Sequence, residues 1–229
     1  AHFALTDVAG RTHHSFEKLA RGAAGIAGAQ AEPYRVWLED WSVEGATGSG
    51  GPVALTADAE DVALQLTLVN QKPPALQGDR GYSRKGPEPG NASYYYSLTR
   101  IAAEGTVTVR GQTFAVTGLA WMDHEFSTSA LGPEQVGWDW FSIQLDDQTE
   151  LMVFQLRRAD GSVDAFSSGT LIAVDSATRT LGPADFTITP AGEWRSPRSG
   201  GIYPAAWTVA VPSAELTLEV TPLLADQEM

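Results

Sequence analysis

The segment "GLAWMDHEFS", residues 118–127, sets Trp121, Asp123, His124 and Glu125 almost side by side. Three of these side chains can carry a proton. A carboxylate beside a histidine fixes the imidazole tautomer and raises its basicity. A second carboxylate two residues from the first allows one to act as an acid while the other stays ionised. In a strand, Trp121 and Asp123 share one face, and Met122 and His124 share the other. Only a bulge or turn would aim all of them at one point. The plainer role is a polar strand end with His124 against Trp121, and spacing alone favours it.

Two further stretches carry candidates. "GWDWF" (137–141) places Asp139 between Trp138 and Trp140. If Asp139 points inward, burial raises its pKa and keeps it protonated, as a general acid requires. If it points outward, both tryptophans belong to the core. "SYYYS" (93–97) gives three consecutive tyrosines, so each face of its strand receives at least one. An inward Tyr95, or the Tyr94 and Tyr96 pair, would serve as core, as a ligand's hydrogen-bond partner or as an aromatic wall for a cation.

The surrounding elements read as strands. "YRVWLEDWSVEG" (34–45) reads as one strand. "VALQLTLVNQ" (62–71) puts Leu64, Leu66 and Leu68 on one face and Gln65 and Thr67 on the other. Residues 92–123 read as three strands, divided by a turn near Gly105 and a hairpin at "RGQ" around Gly111. "SFEKLARGAAGIAGA" (15–29) permits a helical turn or two at Phe16–Arg21 before its glycines end it. "QKPPALQGDRGYSRKGPEPGNAS" (71–93) is a long Pro- and Gly-rich loop bearing Arg80, Arg84 and Lys85, either a surface insertion or a rim over a pocket. "GWDWFSIQLDDQTELMVFQLRR" and the strand-like runs after it are bounded by Gly, Pro, Asp or Ser. Short strands at this spacing predict barrels or sandwiches rather than βαβ units.

Composition narrows the function classes. Of 229 residues, 43% are hydrophobic, enough for a sizeable core. Acidic side chains outnumber basic ones 28 to 15, for a net charge of -13, which repels a phosphate backbone and argues against nucleic acid. With no cysteine, disulfides, thiolate metal sites and cysteine nucleophiles are excluded. The histidines, His2, His13, His14 and His124, show no metal-binding spacing, and "DHE" is not diagnostic, so neither metal nor cofactor is expected. There is no G-x-S-x-G elbow. "STSALGPEQVG" (127–137) is the best boundary between two β domains, residues 1–132 and 133–229.

These stretches carry a resemblance. "YYSLTR", "VTGLAWMDHEFS", "GWDWFSIQLDD", "ELMVFQLR", the set Trp194, Ser196, Pro197, Tyr203 and Pro204, and the closing "DQE" resemble the AttH-like family in order and through nearly the whole chain. That family includes the carotenoid 1,2-hydratases, or hydroxyneurosporene synthases. The resemblance implies two consecutive lipocalin-like (calycin) barrels, with the "DHE" strand closing the first and "GWDWF" opening the second. It also implies strands ahead of "AHFALTDV" and beyond "DQE", so missing strands or another chain would complete the barrels, since an open edge is a liability. Phe126 stands where the family often has tryptophan.

The implied activity is a hydro-lyase adding water to a C=C bond of a hydrophobic isoprenoid or carotenoid-type substrate. A donor protonates the alkene, a tertiary cation forms, and water captures it. Such a site needs an apolar tunnel, one protonated acid and aromatic walls. Asp139 or Asp123 is the candidate acid, with His124 and Glu125 beside it. Trp121, Trp138, Trp140, Tyr94, Tyr95, Tyr96 and Phe126 are candidates for the wall. Two alternatives stand beside it: a lipocalin-like carrier of a hydrophobic ligand, and a secreted hydrolase of undefined reaction. The expected partner is a hydrophobic small molecule, with peripheral membrane contact compatible. The resemblance favours a bacterial periplasmic, secreted or membrane-associated location.

Overall fold

The computed structural model describes residues 1–45, 51–127 and 131–229. The described chain is all-β as expected, its one other regular element being a 3-10 turn at Pro212–Ala214. In chain order the strands are β1 (His2–Asp7), β2 (Thr12–Glu17), β3 (Ala27–Gln30), β4 (Arg35–Leu38), β5 (Trp41–Gly45), β6 (Val53–Ala59) and β7 (Val62–Asn70). Then follow β8 (Ala75–Leu76), β9 (Tyr82–Arg84), β10 (Ala92–Val109), β11 (Gln112–Ser127), β12 (Gln135–Gln144) and β13 (Glu150–Arg158). The last are β14 (Ser168–Ile172), β15 (Thr178–Leu181), β16 (Thr187–Arg195), β17 (Ile202–Val211) and β18 (Leu216–Val220).

The strand pairings are antiparallel and mostly join consecutive strands, as in lipocalin-like folds. β1 and β2 form a hairpin, and the largest sheet runs β11-β10-β7-β6-β5-β4-β3, with β8 and β9 also pairing β10. Two smaller sheets run β12-β13-β14-β15 and β16-β17-β18. By packing, the chain groups into two units: residues 1–71, 100–120 and 223–229, and residues 72–99 and 121–222. These units are drawn differently from the expected division at 132/133, because the long strands β10 and β11 each pass through both. Part of the expected boundary, residues 128–130, lies outside the described residues.

In the first unit, Phe3, Trp41, Ala57 and Val62 form the buried core. Leu64 joins it, and Leu64, Leu66 and Leu68 are half-buried while Gln65 and Thr67 are exposed. The expected face of β7 is therefore observed. The expected hairpin at Gly111 is also present. Arg110 (φ 51°) and Gly111 (φ 75°) both take positive φ, as a two-residue turn matched to strand twist requires.

Three local expectations need correction. Residues 34–45 form two strands, because Glu39 adopts φ 55° and Asp40 completes a turn between β4 and β5. Phe16–Arg21 forms no helical turn, since β2 runs to Glu17, which pairs with His2. Gly105 is no turn. It lies inside β10 at φ 152°, where an added Cβ would sit 2.0 Å from the Gln65 carbonyl oxygen. We expect Gly105→Ala to destabilise the fold by roughly 1–3 kcal/mol, read as a shifted denaturant midpoint. A shift within error of zero would contradict the close approach.

In the second unit, β13 is buried on both faces. Leu151 and Val153 join Leu181, Phe186, Ile188, Val209 and Val211 in one core, with Phe141 and Ile143 of β12 packed against it. Met152, Phe154 and Leu156 point the other way and cluster with Tyr95, Trp121, Leu131 and Phe166. Each fully buried aliphatic or aromatic side chain here contributes roughly 1.5–3 kcal/mol. That double burial fixes which residues of β12 meet Tyr95.

Candidate functional site

Period-two stripes on neighbouring strands build the site. Odd-numbered residues of β10 point inward, so Ser93, Tyr95, Ser97 and Thr99 are all buried. Trp121, Asp123 and Glu125 of β11 hydrogen-bond to this stripe or to one another. Trp121 Nε1–H donates to Asp123 Oδ1 at 2.8 Å. The Ser97 hydroxyl donates to the same oxygen at 2.5 Å, and the Ser93 hydroxyl donates to Glu125 Oε1 at 2.5 Å. Behind Ser97, the fully buried Gln77 donates its Nε2–H to the serine oxygen at 2.8 Å.

β12 and β13 supply an aromatic wall. Their register sets Trp138 opposite Leu156 and Trp140 opposite Phe154. With Lys85, Tyr95, Glu125, Ser127 and Leu131, these four side chains line a cavity of about 480 Å³. Trp140 Nε1–H donates to the Tyr95 hydroxyl oxygen at 3.2 Å, and Tyr95 also hydrogen-bonds Asp123. Burial, reinforced by the nearby Asp123 carboxylate, pushes the Tyr95 phenol far above the ordinary tyrosine range. It therefore stays a neutral hydroxyl at ordinary pH. Lys85 Nζ lies 3.0 Å from Glu125 Oε1.

The sequence candidates divide between two faces. Trp121, Asp123, Glu125, Tyr95, Trp138 and Trp140 come together at or beside the cavity. His124, Phe126, Tyr94 and Tyr96 do not. They lie on the opposite face of β10 and β11 in an aromatic row. Tyr82 and Tyr94 rings are 5.9 Å apart, Tyr94 and Phe126 5.5 Å, Tyr96 and His124 5.1 Å, and His124 and Phe126 5.4 Å. Strand alternation keeps His124 and Asp123 apart, with His124 against Tyr96 and Asp123 against Ser97.

Asp139 also departs from expectation. It alternates away from Trp138 and Trp140 onto the face of Phe141 and Ile143, where Arg157 Nε lies 3.4 Å from its Oδ2. Burial raises its pKa, and Arg157 opposes that rise. The folded state holds this proton more tightly than the unfolded chain, so stability falls as pH rises from 3.8 through the folded value. Asp139→Asn should remove that acid-side slope. A thermal-unfolding series over pH checks this, and an unchanged slope in the variant would contradict the assignment.

Sequence reasoning did not single out Lys85, Ser93, Ser97, Phe154 or Leu156 as site residues. Both serines were legible, since "SYYYS" spaces them two residues either side of Tyr95. Phe154 and Leu156 alternate in "MVFQL" as cavity-facing residues would. Lys85 follows β9 and has no sequence signal beyond its charge in the 71–93 loop. That loop is partly ordered as β8 and β9, paired to Tyr96–Ser97 and Ala92–Tyr94 of β10.

Other cavities suit the chemistry less well. One of about 400 Å³ in the first unit is lined by Phe3, Trp37, Trp41 and Leu64 among others, with no carboxylate in its lining. Another of about 470 Å³ in the second unit is lined by loop and strand residues, including Asp79, Arg84 and Gly182. Among the described residues, no group of three or more His, Cys, Asp or Glu side chains is arranged to hold a metal ion.

Comparison with known proteins agrees with this architecture. The AttH-like family model matches residues 1–229. The crystal structure of a protein of Nitrosomonas europaea described as AttH superposes with a TM-score of 0.90 at 36% identity, covering 100% of this chain and 70% of that one. Kievitone hydratase from Nectria haematococca superposes with a TM-score of 0.77 at 15% identity, covering 100% of this chain and 68% of that one, a likeness of fold. No curated protein matches the chain.

Proposed function

This chain belongs to the AttH-like family, and on that premise we propose that it is a hydratase-like lyase adding water to a C=C bond of a hydrophobic, isoprenoid-type substrate. The observation that carries the reading is the cavity itself. Trp138, Trp140, Phe154 and Leu156 make an apolar wall, and Tyr95, backed by Asp123, brings a hydroxyl to its edge. The kievitone hydratase fold adds support, because that protein is named for a hydration.

The Tyr95 hydroxyl passes its hydrogen to the alkene carbon while solvent, relayed through the Asp123 carboxylate, reprotonates the phenolic oxygen. The cation forms against the π-faces of Trp138 and Trp140, which stabilise positive charge. Water captures it. Glu125 takes the proton released from the oxonium and passes it to solvent, which balances the proton supplied through Asp123. The sum is alkene plus water to tertiary alcohol. Trp121 and Ser97 hold the Asp123 carboxyl in place while Ser93 and Lys85 hold Glu125.

A carrier reading shares the cavity but needs no proton donor. Anaerobic incubation with an acyclic carotenoid, read by mass spectrometry, separates the two. Gain of one water supports the lyase. An unchanged, bound carotenoid supports the carrier.

A further inference from the structure

Lys85 is the cavity residue that hydrocarbon binding does not explain. Its side chain is only 20% exposed, and its Nζ lies 3.9 Å from the Phe154 ring centroid and 5.5 Å from that of Tyr95. An ammonium carries three N–H donors. Among the described residues its hydrogen-bonding acceptor is Glu125, at 3.0 Å. The aromatic faces offset part of the lost hydration, but a desolvated ammonium with donors to spare is a costly group. Burial accordingly draws the Lys85 pKa below the ordinary lysine range, with Glu125 opposing that shift.

The position of the charge also restricts the reaction. A fixed ammonium repels a developing carbocation, so the reacting double bond must lie away from Lys85, toward Trp138 and Trp140. A hydrocarbon would gain nothing at the Lys85 end. A ligand oxygen there would accept one of the spare N–H bonds and remain beside the apolar wall.

We propose that Lys85 anchors an oxygen acceptor of the ligand, so that the cavity selects an amphipathic isoprenoid-type molecule bearing a carbonyl or carboxylate over a pure hydrocarbon. The inference rests on the cavity being the ligand site proposed above, but not on turnover there. It makes Lys85 a specificity determinant and narrows the substrate class. Glu125 sets the strength of the anchor by holding the ammonium in place while leaving its other donors for the ligand.

Three probes with a common farnesyl chain test this: farnesene, farnesylacetone and farnesoic acid, titrated against the full chain by quenching of its tryptophan fluorescence. Wild type should bind the ketone or the acid about ten-fold or more tightly than the hydrocarbon, as one added charge-assisted hydrogen bond allows. Whichever of the two gains more identifies the acceptor. Lys85→Met should abolish that preference, and Lys85→Arg should retain it. Lys85→Gln serves in place of the methionine variant if that variant does not fold.

Equal binding of all three probes by wild type would overturn the proposal. So would equal weakening of all three in Lys85→Met, or no binding of any probe. An intact preference without water added to any alkene would count against the lyase reading alone.

Discussion

Asp123→Asn should lower turnover by about 10²- to 10⁴-fold, the usual contribution of a positioned acid–base group. The substitution is close to isosteric. An asparagine Oδ1 still accepts from Trp121 Nε1–H and the Ser97 hydroxyl, the two bonds that hold the side chain at 2.8 and 2.5 Å. What it loses is the carboxylate that relays a proton to the Tyr95 oxygen. Binding of an alkene substrate, followed by tryptophan quenching, should therefore change far less than kcat. Tyr95→Phe gives the companion result, since it cuts the path from Asp123 to the cavity and removes the acceptor of Trp140 Nε1–H. Unimpaired turnover in Asp123→Asn would remove Asp123 from the chemistry. A collapse in binding equal to the loss in kcat would make it a structural residue.

The second large effect concerns stability. Lys72 and Glu150 form a buried pair in the second unit, with side chains 7% and 0% exposed and Nζ 2.9 Å from Oε2. The Lys72 ammonium also donates to the carbonyl oxygens of Gln148 at 2.6 Å and Ala173 at 2.9 Å. It thus ties the start of the 72–99 segment to both ends of the β13–β14 region. Lys72→Met leaves a carboxylate buried without its cation, which costs roughly 3–5 kcal/mol. In the double variant Lys72→Met with Glu150→Leu, no charge is left behind, so most of that loss should return. Recovery will be incomplete, because the Gln148 and Ala173 carbonyls lose the ammonium donor in both. Denaturant midpoints of the two variants measure this. A single-variant cost under about 1 kcal/mol, the range of an exposed pair, would mean that the pair is solvated.

How much of this was legible in the sequence depends on what period-two patterning encodes. It tells which residues share a face. Trp121 with Asp123, Leu64 with Leu66 and Leu68, and the separation of Tyr95 from Tyr94 and Tyr96 all follow from it. It does not tell which face turns inward when both are buried. β13 is buried on both sides, so its neighbour β12 offers apolar residues to each: Trp138 and Trp140 to the cavity, Phe141 and Ile143 to the core. Asp139 was therefore undecidable from pattern. His124 was drawn toward Asp123 by adjacency, yet adjacent strand residues point apart.

Glycine and loop signals misled in a related way. Gly105 marks a close approach of β10 to the Gln65 backbone instead of a turn. The real turn at Glu39 uses a non-glycine residue at positive φ, which no composition rule favours. Lys85 was legible only as a charge on a loop that could rim a pocket. Its role depends on Phe154, sixty-nine positions later in the sequence, and no local pattern reports a contact of that range. The Arg110–Gly111 hairpin was readable because its conformation is local.

The measurement that bears most directly on the hydration reading is single-turnover incubation of an acyclic carotenoid in ¹⁸O-labelled water, with wild type and Asp123→Asn side by side. Wild type should yield an alcohol carrying one ¹⁸O, and Asp123→Asn should bind the carotenoid but yield almost none. Unlabelled, unchanged carotenoid recovered from a tight wild-type complex would contradict the reading and leave the cavity as a carrier's pocket.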